Sequence, residues 1–164
     1  LLIPYTSNYA GTLLPGIREY TVTPGEKTTT ISGKGKAGLK QEENYYFFYL
    51  PVCYKGITGK SYAYYNTSRS KNLYLPASVD ENYSYDIQLP ENLTLCTPIQ
   101  EKKIDNPIGS FKITLTSEGS SLHIELALQI KKQLITPAEY PAFRSLITEW
   151  TDRTRKPILF KTVQ

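Results

Sequence analysis

Hydrophobic and polar residues alternate along the clearest segment of the chain. Phe111, Ile113 and Leu115 alternate with polar residues, and the alternation resumes from Leu122 to Ile130 after a Glu-Gly-Ser turn. A period of two is typical of a strand with one buried and one solvent-facing side. The segment therefore predicts a β-hairpin, whose register is well specified because a one-residue slip would expose its aliphatic residues.

Shorter segments predict further strands. They cover residues 18–23, 27–32, 44–52, 62–65, 72–75 and 82–89, and the first two are joined by a Pro24-Gly25 turn. The run 45–50 is apolar on both faces, which predicts a strand in the interior of a sheet or covered on both sides. The glycine-containing stretch 33–38 is interpreted as a loop.

The period changes from 2 to 3.6 after Ile130, which predicts one helix over residues 136–152. Thr136 and Glu139 match a capping box, but Pro141 lacks a first-turn N–H. Either the opening turn is irregular or the helix begins at Tyr140. An apolar stripe is predicted to dock this helix on the core: Tyr140, Phe143, Leu146, Ile147 and Trp150. Residues 158–160 are predicted to return as a short edge strand.

These elements predict an all-β fold, a two-sheet antiparallel β-sandwich with one C-terminal α-helix. The 164 residues match the size of one domain, with N-terminal strands in residues 1–40. Because the chain begins with Leu and contains no Met, we expect it to be a fragment or a processed product of a larger protein.

Composition and charge narrow the function classes. Hydrophobic residues make up 40% of the chain and charged residues 21%, and no apolar run reaches the length of a membrane span. The net charge is +4, and the excess lies in residues 131–164. A nucleic-acid-binding protein usually has a denser basic stripe, so we expect no nucleic-acid partner.

Candidate catalytic residues are few. Cys96, His123 and Asp152 can be combined into a triad on paper, but their spacing alone gives it no support. One His and two distant Cys do not supply metal-ligand spacing, and we expect no cofactor and no catalytic residue. Cys53 and Cys96 form either a disulfide or two free thiols.

Tyrosines are concentrated in the middle of the chain, where ten of the fourteen lie between residues 45 and 85. Aromatic faces stack on sugars or anchor protein partners. A candidate binding surface for glycan or protein therefore contains Tyr62, Tyr64, Tyr65 and Tyr74. Packing of tyrosines on a half-buried sheet is the favoured alternative.

An ordered series of motifs runs through residues 40–161. It comprises NYYFFYLP at 44–51, DENYSYDIQLP at 80–90, IDNPIG at 104–109, and LITPAEYPAFR at 134–144 followed by Trp150. The series resembles the C-terminal domain of bacterial transglutaminase-like proteins, in which a β domain and a transglutaminase-like, cysteine-peptidase-related domain come first.

The resemblance implies a protein of the bacterial cell envelope, periplasmic or extracellular. It also implies that the neighbouring transglutaminase-like domain, outside this chain, carries the Cys-His-Asp triad. The expected function is thus a non-catalytic accessory domain that packs on or positions that domain. The alternative is a carbohydrate- or protein-binding module that uses the tyrosine-rich surface.

Overall fold

The computed structural model describes residues 17–25, 29–36, 38–50, 57 and 68–162. In this part of the chain the elements follow one another as β1 (Ile17–Pro24), β2 (Thr29–Gly35), β3 (Lys40–Glu42), β4 (Tyr45–Phe48), β5 (Leu73–Tyr74), β6 (Val79–Gln88), β7 (Leu93–Leu95), β8 (Gln100–Asn106), β9 (Gly109–Glu118), β10 (Ser121–Ile130), β11 (Leu134–Ile135), α1 (Tyr140–Arg155) and β12 (Ile158–Thr162).

The main sheet has four antiparallel strands in the order β6-β10-β9-β8. Its centre is the predicted hairpin, in which Leu126 pairs with Ile113 and both side chains are buried. The turn between these strands has Gly119 at φ 57°, a left-handed conformation that favours glycine. The predicted hairpin is confirmed, and its buried face forms one wall of the core.

The second sheet has the order β3-β4-β12-β7. The apolar run at 45–48 lies in its interior, as the sequence predicts, although β4 ends at Phe48 rather than at residue 52. The strand predicted at 158–160 is present as β12, but the predicted edge position is wrong, because β12 pairs with β4 on one side and β7 on the other. Ile158 and Phe160 are consequently buried.

Two two-stranded sheets accompany the two larger sheets. β1 and β2 pair as an antiparallel hairpin in which Pro24, predicted to lie in the turn, is the last residue of β1 and pairs with Thr29. β2 continues to Gly35 through part of the predicted loop. β11 pairs with β5 ahead of the helix.

One hydrophobic core joins the two four-stranded sheets and α1. The fully buried side chains at its centre include Phe111 of the main sheet, Phe160 of the second sheet, and Phe143 and Trp150 of α1. The opposite face of the main sheet carries polar side chains such as Lys112 and Glu125. The predicted class, an all-β antiparallel sandwich with one C-terminal helix, is confirmed.

The helix begins at Tyr140, which is one of the two predicted alternatives, and ends later than predicted, at Arg155. The Thr136 N–H and hydroxyl donate to Glu139 Oε2 at 3.1 and 3.0 Å, and the Glu139 N–H donates to Thr136 Oγ1 at 3.4 Å. The capping-box contacts therefore form in the turn before α1. The Tyr140 N–H donates to the Thr136 carbonyl at 3.0 Å, so this turn leads directly into α1, although Pro141 has no N–H to donate.

The turn between β8 and β9 fixes the helix against the main sheet. Asn106 Oδ1 accepts hydrogen bonds from the N–H groups of Ile108 and Gly109, at 2.9 and 3.3 Å. The same side chain donates from Nδ2 to the Ala142 carbonyl at 3.0 Å. One asparagine thus links the hairpin turn to the first turn of α1.

A candidate interaction groove beside the helix

An open groove of about 430 Å³ lies along the exposed side of α1. Helix residues line one side, and Ile104 of β8 and the segment before β5 line the rest. Apolar surface comes from Ile104, Pro137 and Pro141. We call this feature the helix groove. Pro137 belongs to the turn that precedes α1, and Pro141 is the second residue of the helix.

Two guanidinium groups lie at one end of the helix groove. Arg69 approaches from the segment before β5, with its Cζ 5.9 Å from the centroid of the Tyr140 ring. Arg144 is exposed one helical turn beyond Tyr140. Burial raises the pKa of the Tyr140 hydroxyl, while Arg69 and Arg144 act in the opposite direction. Both positive charges therefore lie near the same phenol ring.

The other end of the groove carries a carboxylate. Lys102 Nζ lies 2.6 Å from Glu149 Oε1, and Arg153 Nη2 lies 4.0 Å from Glu149 Oε2. Because Arg69 and Arg144 take part in no ion pair among the described residues, the groove has cations without an anionic partner at its Arg69–Arg144 end.

The residues predicted to dock the helix are buried. Tyr140, Phe143, Ile147 and Trp150 expose 3%, 0%, 2% and 0% of their surface, respectively. The Trp150 ring lies 5.8 Å from that of Tyr83 on β6, measured between centroids. The apolar stripe thus faces the main sheet and leaves the opposite side of the helix to form the groove.

The tyrosine surface proposed from sequence is only partly within the described residues. Tyr74 is 72% exposed and pairs with Leu134, itself 42% exposed. Tyr62, Tyr64 and Tyr65 lie outside the described residues. The structure therefore places one member of this candidate surface and leaves the surface as a prediction.

Cys96, His123 and Asp152 are not brought together. Asp152 contacts Lys156 at 2.8 Å, and both ring nitrogens of His123 face other carboxylates. Cys96 is half-buried after β7 in the second sheet, and its thiol has no disulfide partner among the described residues. Its suggested partner Cys53 lies outside the described residues, so the disulfide remains a prediction.

A row of charged side chains crosses the outer face of the main sheet. His123 Nδ1 lies 2.7 Å from Asp86 Oδ1, and its Nε2 lies 3.7 Å from Glu125 Oε1. Lys112 Nζ contacts the other Glu125 oxygen at 2.9 Å. The hydrogen bond with Asp86 is the largest cause of a raised pKa at His123, although partial burial opposes it. This row ties three neighbouring strands together on the solvent side.

Glu81 is an acidic residue on the inner side of β6 that the sequence analysis did not single out. Its carboxylate accepts hydrogen bonds from the Ile57 N–H at 2.6 Å and from the Tyr83 hydroxyl at 3.0 Å. Burial raises its pKa above the ordinary value, and the two hydrogen bonds oppose that shift. The alternation of β6 already places position 81 on the same side as Tyr83, which is the signal that could have found it.

The described residues contain neither a metal-binding cluster nor a helix that could span a membrane. They contain no group of three or more His, Cys, Asp and Glu side chains arranged to hold a metal ion. In the same part of the chain, no helix combines the length and apolarity needed to cross a membrane.

The chain is a helix-capped antiparallel β-sandwich domain with an open groove beside the helix. Residues 44–160 match a family of domains of unknown function, DUF3858. The chain belongs to this family.

A solved structure is similar to the chain. It is that of a "putative protease" from Parabacteroides distasonis ATCC 8503, with 31% sequence identity and a TM-score of 0.65. The similarity covers 74% of this chain and 24% of that protein. No curated protein matches the chain. The chain thus spans about a quarter of the length of the protein that it resembles.

Proposed function

We propose that this chain is a non-catalytic accessory domain of a longer, exported protein related to proteases. In that protein it packs on or positions a transglutaminase-like, cysteine-peptidase-related domain outside these 164 residues. The observation that carries the proposal is the unequal coverage, because the similarity spans 74% of this chain but only 24% of a protein described as a "putative protease".

Two further observations support an accessory role. The order of sequence motifs from residue 44 onward resembles the domain that follows a transglutaminase-like domain, and this is the region that matches the family. The side chains that could make a Cys-His-Asp triad have other partners, since His123 contacts Asp86 while Asp152 contacts Lys156.

The test is an activity assay on the chain itself. Hydrolysis of peptides and cross-linking of glutamine to amines are measured for the wild type and for Cys53→Ala and Cys96→Ala. We expect all three proteins to show the same background rate. An activity that either alanine variant abolishes would refute the non-catalytic assignment.

A second measurement tests the positioning role. The thermal unfolding of the adjoining domain is compared with and without this chain attached. We expect the attached chain to raise the unfolding temperature, because a packed interface stabilises only the folded state. Identical unfolding of the adjoining domain in the two forms would count against packing.

A further inference from the structure

The Arg69–Arg144 end of the helix groove holds positive charge without a counter-charge in the described part of the chain. Neither guanidinium takes part in an ion pair among the described residues. Arg69 is also half-buried, and its Nε–H is buried without a hydrogen-bond acceptor. Two guanidinium groups without an anionic partner that both line an open groove are suited to receive an anionic group.

The shape of the groove indicates what carries the anion. Ile104, Pro137 and Pro141 line the space beside the two arginines. An inorganic ion would leave this apolar surface uncovered, whereas a peptide would cover it and release water. Guanidinium groups match the planar, two-oxygen geometry of a carboxylate. Charge and shape together favour an acidic side chain next to apolar residues.

We propose that the helix groove binds an Asp or Glu side chain of a polypeptide segment, with Arg69 and Arg144 donating hydrogen bonds to its carboxylate. Apolar residues beside that acid pack on Pro137 and Pro141. The partner is an acidic surface segment of the adjoining domain, and this part of the inference rests on the proposed function. The proposal that the groove binds a carboxylate does not depend on the proposed function and rests on the groove residues alone.

The first test is an NMR titration of the chain with two capped tripeptides, acetyl-Pro-Glu-Leu-amide and acetyl-Pro-Gln-Leu-amide. The Nε–H signals of Arg69 and Arg144 report binding directly. We expect the Glu peptide to shift both signals and to bind about tenfold more tightly than the Gln peptide, as a charge-assisted hydrogen bond provides.

Matched variants assign the binding to the groove. Arg144→Gln removes one of the two cations from an exposed helix position, so the core stays intact, and we expect binding of the Glu peptide to weaken about tenfold. Lys161→Gln makes the same charge change on β12 of the second sheet, where we expect no effect. Arg69→Gln is the stricter variant, and its amide spectrum checks that it folds.

Three results would overturn the inference. Equal affinity for the Glu and Gln peptides would show that the carboxylate is not recognised. Unchanged binding of the Glu peptide by Arg144→Gln would show that the peptide binds outside the groove. Inorganic phosphate that shifts the same signals at lower concentration than the Glu peptide would indicate a site for a bare anion instead.

The second test separates this inference from the proposed function by adding the adjoining domain in trans. Binding to the wild type, but not to the Arg69→Gln/Arg144→Gln double variant, supports both. Equal binding to the wild type and the double variant overturns the groove as the docking site while the accessory function stands. If the Glu peptide binds but the adjoining domain does not, the proposed partner is wrong and the packing role loses support. The proposal that the groove binds a carboxylate then still stands.

Discussion

At the scale of single residues, Gly109 marks a place where two backbones approach too closely for a side chain. It opens β9 opposite Ile130, and a Cβ atom at this position would lie 1.9 Å from the Gln129 carbonyl oxygen. Because the obstacle is the backbone of the central strand, Gly109→Ala must displace β9 from β10. We expect a loss of about 1–3 kcal/mol or more in the free energy of unfolding, measured with urea.

Gly38→Ala is the matched control for that substitution. No atom lies within 4 Å of the added Cβ at Gly38. We expect a small change of about 0.4–1 kcal/mol toward greater stability, because alanine restricts the unfolded chain more than glycine does. Equal stability of the two variants would show that the close backbone approach at Gly109 does not exclude a side chain.

His123 should titrate above its ordinary pKa of 6.5, chiefly because of its hydrogen bond with Asp86. The folded state then binds the proton more tightly than the unfolded state does. The resulting stabilisation is fully present below pH 6.5 and is lost as the pH rises through the raised pKa. The chain has a single His, so one NMR signal followed against pH measures this directly.

Two charge-matched variants identify the cause of that shift. Asp86→Asn removes the carboxylate at Nδ1 and should lower the titration midpoint of His123. Asp80→Asn makes the same change on the same strand, where the side chain instead contacts Asn82 at 2.8 Å, and should leave the midpoint in place. A midpoint that is the same in Asp86→Asn and in the wild type would show that the hydrogen bond does not set the pKa.

At the scale of elements, α1 is held by its buried stripe. Trp150 is 0% exposed and packs against Tyr83 of the main sheet. We expect Trp150→Ala to lower the free energy of unfolding by about 3 kcal/mol or more, in line with other aromatic truncations in cores. Thr148→Ala, an exposed position on the same helix, should be near neutral. Similar values in denaturant melts for both variants would mean that the stripe does not hold the helix.

The elements that the sequence predicts well are those whose own residues carry the signal. The inward positions of β9 from Phe111 to Leu115 and those of β10 from Leu122 to Ile130 are apolar, so the period is visible without knowing the partner strand. The start of α1 is less visible, because the capping-box contacts of Thr136 and Glu139 form in the turn just before Tyr140, where the helix begins. β3 and β8 carry mostly charged residues and show no alternation.

At the scale of the whole molecule, the features missing from the sequence depend on residues far apart in the chain. β12 is interior only because residues 45–48 and 93–95 pair on its two sides. The helix groove forms where Arg69 lies beside residues 137–149. The segment that carries Arg69 has no hydrophobic periodicity from which this position could be predicted. The fold class follows from local pattern, whereas the site follows from long-range packing.

The placement of the core predicts which end of the chain the fold needs. Among the described residues the buried hydrophobic side chains run from Phe48 to Phe160, and no described side chain of β1 or β2 belongs to the core. We therefore expect a variant lacking residues 1–36 to unfold in one cooperative transition, with a midpoint close to that of the full chain in a thermal melt.

Removal of residues 157–164 provides the opposite case. It deletes β12, which is paired on both sides and carries the buried Ile158 and Phe160, so we expect the cooperative transition to disappear. If the variant that lacks residues 1–36 lost its cooperative transition instead, the β1–β2 hairpin would have to support the core. The two truncations together thus decide whether the folding unit coincides with the region that matches the family, since that region begins at residue 44 and ends at residue 160.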